Sequence, residues 1–134
     1  MLATLVFLTV FPLLAMNGTC ADPAITMAGL QSTQTNGDLR RYDMGITVAN
    51  LGSGAQLPSL LMSVAVYQNG TKVNQIGVPP LRPGARTTVH YVFERSAEAH
   101  DNTTRFRLQL MENDPHGHPV TDCNTANDSY RLTL

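Results

Sequence analysis

The sequence predicts an all-β protein, an immunoglobulin-like antiparallel β-sandwich of about seven strands, preceded by a signal peptide. Three observations carry that expectation. Apolar residues recur at every second position in several short segments, strong turn signals separate those segments, and no stretch has a helical period. Composition agrees, since only 14% of the 134 residues are charged, against about a quarter in an average soluble domain. That length is one domain's worth and can build a core of ordinary size.

Leu2 to Met16 form a nearly uninterrupted apolar run without charge. It is shorter than the about 20 residues that a spanning helix needs. Small residues follow it, ending in Thr19-Cys20-Ala21 before Asp22-Pro23, an order that reads as a secretory h-region and cleavage site. Residues 1–21 are expected to be the signal peptide and 22–134 the mature domain. The mature chain then has no membrane span and works in the periplasm or outside the cell. The cysteines leave a fork. A cut after Ala21 removes Cys20 and leaves Cys123 as a lone thiol; an earlier cut, for example after Ala15, keeps Cys20 for a disulfide with Cys123 in an oxidising compartment. Acylation of Cys20 meets a poor context, with Asn17 where a Leu-like residue is usual and Thr19 where Gly or Ala is usual.

A first strand is expected over Ala24–Gln31. Tyr42, Met44, Ile46 and Val48 then alternate with Asp43, Gly45, Thr47 and Ala49, the period of a strand with one wet face. Asn50-Leu51-Gly52-Ser53-Gly54 ends it with two glycines. Leu60–Gln68 is nearly apolar throughout and suits a central strand covered on both faces. Asn69-Gly70 follows, and Asn-Gly between β-formers signals a type I′ hairpin, because both central residues need positive φ. Leu60–Gln68 and Lys72–Val78 should therefore be antiparallel neighbours. Pro79-Pro80-Leu81-Arg82-Pro83-Gly84 cannot continue a central strand, and Pro83-Gly84 fits a type II turn. Thr87, Val89, Tyr91 and Phe93 alternate with Thr88, His90, Val92 and Glu94. Ser96 to Thr103 is a polar connection. Phe106, Leu108 and Leu110, then Tyr130, Leu132 and Leu134, mark two further strands. Seven short strands at regular spacing point to a sandwich whose alternating sets meet in a common core.

In this setting several segments resemble the bacterial cell-adhesion-related domain, CARDB. Ile46-Thr47-Val48-Ala49-Asn50-Leu51-Gly52 resembles its V-x-V-x-N-x-G opening, and Val66-Tyr67-Gln68-Asn69-Gly70 its L-Y-x-D-G hairpin. Leu81 to Val89 is similar to its L-x-x-G-x-x-x-x-V turn and strand. Asp122 to Leu134 is similar to its closing E-x-N-x-x-N-N loop and last strand, with Asn127-Asp128 where Asn-Asn is usual. The ordered match covers nearly all of the mature chain. It implies an extracytoplasmic sandwich serving in adhesion, spacing or interaction, and it names no ligand. The family usually occurs inside larger proteins, which sets the spacer role apart from this chain.

No residue pattern points firmly to chemistry. Asp114-Pro115-His116-Gly117-His118-Pro119 is the candidate metal cluster, because an H-x-H pair can give two imidazoles to one transition metal, with Asp114 as third ligand. A Pro/Gly turn with solvated histidines is the plainer reading. Asp114, Asp122, Asn124, Asn127 and Asp128 could offer oxygens to calcium, yet their spacing lacks the rhythm of a calcium loop, and Asx residues at strand entries commonly bond the local backbone. No G-x-S-x-G elbow occurs, His90 is expected to face solvent, and Glu94, Glu98 and Glu112 form no acid pair. Catalytic residues and cofactors are therefore not expected. Asn17, Asn69, Asn102 and Asn127 open formal glycosylation tripeptides. A net charge of −1 and no basic cluster beyond Arg40-Arg41 and Arg105/Arg107 argue against nucleic acid.

The expectation is a non-enzymatic exported binding module whose partner is another envelope protein or a surface polymer. Binding would proceed by edge-strand addition or by loops, at Gln68–Lys72, Ser96–Asn102 or Asp114–Asn124. The alternatives are a metal-responsive periplasmic protein using His116, His118 and Asp114, and a small carbohydrate-binding module, which the absence of Trp disfavours.

Overall fold

The computed structural model describes residues 20–98, 103–120 and 123–134. Seven strands form two antiparallel sheets: β1 (Pro23–Asn36), β2 (Leu39–Asn50), β3 (Leu61–Gln68), β4 (Thr71–Val78), β5 (Arg86–Ser96), β6 (Arg105–Asn113) and β7 (Ser129–Thr133). One sheet has the order β1-β2-β5 and the other β4-β3-β6-β7. A single 3-10 turn, Thr125–Asn127, precedes β7. This is the all-β sandwich that the alternation predicts. Among the described residues no helix is long and apolar enough to cross a membrane, which leaves β-barrel spans unaddressed.

The alternating sets meet as expected. Met44, Ile46 and Val48 of β2 are fully buried, with Phe93 of β5, against Val64, Val66, Phe106, Leu108 and Leu110 of the opposite sheet. Fully burying each such side chain is worth about 1.5–3 kcal/mol, so this core holds the sheets together. Tyr91 edges the core, with its ring stacked near Phe93 and edge-on to Phe106. Its hydroxyl donates to Gln68 Oε1 at 3.3 Å, and burial raises its pKa above the usual phenol value. At that end of the sandwich Arg95 lies over the Tyr42 and Phe93 rings and donates to the Leu134 carbonyl.

The turn chemistry reads through to the backbone. Asn69 and Gly70 have φ of 49° and 85°, the positive pair of a type I′ hairpin, and Asn69 Oδ1 also accepts from the Arg105 amide. Gly84 has φ of 75° and Ala85 N–H donates to the Arg82 carbonyl, as a type II turn requires. Gly84 N–H also reaches Asn50, whose own N–H donates to Ala85, so the turn runs into a glycine-opened bulge at the start of β5.

One hairpin departs from expectation. β1 extends to Asn36, and β2 begins at Leu39, with Gly37 at φ of 58° between them. Residues 30–36 of β1 are all exposed, so no apolar face marks them as a strand. The ladder to β2 holds them instead, with two register shifts, between Ile25 and Met27 and between Leu30 and Ser32.

Candidate functional site

Four regions of the surface bring together chemistry-bearing residues. The first lies at the end of the sandwich where β1 begins. Asn50 is fully buried there. Its Oδ1 accepts from the Asp22 and Gly52 amides, both at 3.0 Å, and its Nδ2 donates to the Gly54 and Leu81 carbonyls at 2.8 and 3.0 Å. One side chain thus satisfies four backbone groups from three segments. Gln56 reinforces it, accepting from the Leu81 amide at 2.8 Å. Gly52 has no room for a side chain, since a Cβ would run into the Cys20 carbonyl and the Asp22 amide. Cys20 and Cys123 are joined as a disulfide with Cα atoms 5.9 Å apart. The Cys20 carbonyl accepts from Gly54, the Ala21 carbonyl from Cys123, and Asn127 donates to the Asp22 carboxylate. The N-x-G of the sequence motif is therefore the lock on this end of the fold.

The second region is the Asp114 turn. Asp114 Oδ1 accepts from the His116 and His118 amides, both at 2.9 Å, an Asx-type arrangement. Its Oδ2 lies 3.3 Å from His118 Nδ1, and the two imidazole centroids are 6.4 Å apart. Among the described residues no three His, Cys, Asp or Glu side chains gather as a metal-holding group. Of the residues proposed for calcium, Asn124 caps the 3-10 turn, Asn127 is engaged with Asp22, and Asp122 lies outside the described residues, as does the glycosylation candidate Asn102.

The third region is the set of sheet edges, formed by β1, β5, β4 and β7. β1 carries two register shifts and β4 one, at Val66/Tyr67. β7 is five residues long. Bulges and short length are how proteins blunt edges against pairing. Past the bulge at Gly84-Ala85, β5 has neither: its eleven residues pair with β2 from Leu39–Ser96 to Ala49–Arg86 without a shift. Asn50 N–H bonds to Ala85, so antiparallel alternation turns the amides of Thr88, His90 and Val92 toward the open edge.

The fourth comprises the two outward sheet faces. On the β1-β2-β5 face the charges are mixed. Arg41 stands opposite Glu94 in the register, and His90 Nδ1 bonds Asp43 Oδ1 at 2.9 Å. The β4-β3-β6-β7 face differs. Register sets Lys72, Tyr67, Arg107 and Arg131 in one row across all four strands. Arg107 lies 3.9 Å over the Tyr67 ring. Arg105 is two residues along β6, and a cleft of about 500 Å³ opens among Arg105, Arg107, Arg131 and Gly70. The only acid in these strands, Glu112, pairs with core residue Met62. Sequence reasoning missed this row. Its members are far apart in the chain, and only cross-strand register unites them.

Comparison with known proteins adds the lineage. A solved CARDB domain from Pyrococcus furiosus, in complex with di-metal ions, has the same fold, with a TM-score of 0.60 at 20% identity over 87% of this chain and 94% of that one. Comparison with curated proteins yields no match. The CARDB family profile matches residues 24–130. The chain belongs to the CARDB family.

Proposed function

We propose that the chain is an exported, non-enzymatic interaction module of the cell envelope, which takes a strand of its partner onto the β5 edge. The observation that carries this reading is β5 itself, a long edge whose eleven residues run without a register shift beyond the bulge that opens it, with alternate amides and carbonyls turned outward to extend the ladder. Membership in a family of non-catalytic immunoglobulin-like domains supports it. The apolar run Leu2–Met16 serves as the export signal. The backbone and thiol contacts of Cys20 and Ala21 support a cut ahead of Cys20 rather than after Ala21, and a paired Cys20 is unavailable for acylation.

The test is crosslinking of the exported chain in envelope extract, with partners identified by mass spectrometry, against a Val92→Pro variant. Proline at this exposed edge position removes one outward donor and spares the ladder to β2. The reading expects one reproducible partner that the variant loses while its circular dichroism is unchanged. Equal capture by both proteins would overturn it.

A second reading, a metal-responsive loop, is favoured by the turn that gathers Asp114 and His118 and by the metal-bound neighbour of the same fold. A ligand that binds only the native state must raise the melting temperature. Zinc or copper should do so, and His116→Ala should abolish the rise; identical melting curves with and without metal would remove this reading.

A further inference from the structure

We infer that the outward face of the β4-β3-β6-β7 sheet is a binding site for an acidic polysaccharide, a chain of uronate sugars laid across the strands along the row Lys72, Tyr67, Arg107, Arg131. The inference deepens the module reading, because it is the exported location that brings this face to such a polymer. Four of the chain's nine Lys and Arg residues occupy this one face. No acid shares it. Arg107 and Arg131 stand directly opposite one another, and like charges so placed work against the fold. On the other sheet the corresponding charges are matched by Asp43 and Glu94. A protein of net charge −1 thus gathers four of its nine cations on one sheet face.

The chemistry of the row selects the ligand. Guanidinium groups are planar forks that take carboxylates in bidentate fashion. Stacking on Tyr67 holds the Arg107 fork in place before any ligand arrives. The row crosses three strand spacings of about 4.8 Å, roughly 14 Å in all, so it suits anions repeating along a polymer rather than one small ion. The Arg105–Arg107–Arg131 cleft is open and takes a chain passing through it. A membrane surface is the poorer fit, because the exposed Leu61 lies at the far end of β3 from the row, and Val73, next to Lys72, is too little apolar surface on its own to anchor an insertion. Recognition is ionic, with the Tyr67 face already covered by Arg107, so the lack of Trp is no obstacle.

The experiment is titration calorimetry of the purified full chain with alginate, at low salt and at physiological salt. Dextran is the neutral control and phosphatidylglycerol vesicles are the lipid control. Alginate should bind, dextran should not, and affinity should fall steeply with salt. Arg107→Gln/Arg131→Gln should weaken binding tenfold or more, while Arg41→Gln/Arg86→Gln on the opposite sheet should leave it unchanged. Thermal melts confirm that both double variants are folded. Absence of alginate binding, equal binding by the Arg107/Arg131 variant, or binding of vesicles but not alginate would overturn the inference. Those outcomes leave the module reading intact if the β5-dependent partner is still captured, so the two can fail separately.

Discussion

The end of the sandwich around Asn50 and the outward face around Arg107 are built on opposite principles. At the Asn50 end the buried amide of Asn50 is fully occupied. Four backbone groups meet one buried amide, Gly52 is pressed against the N-terminal strand, and a disulfide closes the set. On the Arg107 face four cations are gathered, and the row itself, Lys72, Tyr67, Arg107 and Arg131, contains no acid. The first arrangement yields stability, because its hub side chain is spent on the backbone. The second forgoes some stability and keeps its charges available. The N-x-G motif of the family, Asn50-Leu51-Gly52, belongs to the first region, where it serves the fold.

Breaking the first region should have the largest effect. Asn50→Ala strands two carbonyls and two amides in a largely dry site, and unpaired buried groups cost about 1–3 kcal/mol each. Because water reaches some of them, a total loss of about 3–5 kcal/mol is expected from urea unfolding. Cys123→Ser opens a link between residues 103 apart in sequence, and loss of about 2–4 kcal/mol is expected, with dithiothreitol lowering the parent to the same level. The second region should respond in the other direction. Arg131→Gln relieves a directly opposed like-charge pair, so stability should stay within about 0.5 kcal/mol of the parent or rise.

The smallest effect sharpens the comparison from the core. Burial raises the pKa of Tyr91 in the folded protein. The unfolded chain therefore loses this proton first as pH rises, and folding is penalised from there up to the folded pKa. The contribution is fully present below the ordinary phenol pKa of about 10 and is lost above it. Urea midpoints should fall more slowly above pH 10 in Tyr91→Phe than in the parent.

Much of this molecule was legible before its structure. Period-two alternation placed the core residues of β2, β5, β6 and β7, and Asn69-Gly70 and Pro83-Gly84 announced their turns through the φ values they tolerate. The extension of β1 and β2 to Asn36 and Leu39 was not legible, because residues 31–36 are polar on both sides and only backbone pairing holds them. Asn50 could be read as a strand-ending turn residue, but not as the hub of three segments. The basic row was hidden for the same reason. Lys72, Arg107 and Arg131 belong to three different strands, and which residues face one another across a sheet is a property of register, invisible to a scan for local charge.

The most direct test of the division between these regions takes the single variant Arg131→Gln and measures its urea stability and its alginate affinity on the same preparation. The account predicts unchanged or higher stability together with weaker binding. A loss of more than about 1 kcal/mol, or alginate affinity equal to the parent, would show that this arginine serves the fold rather than a ligand.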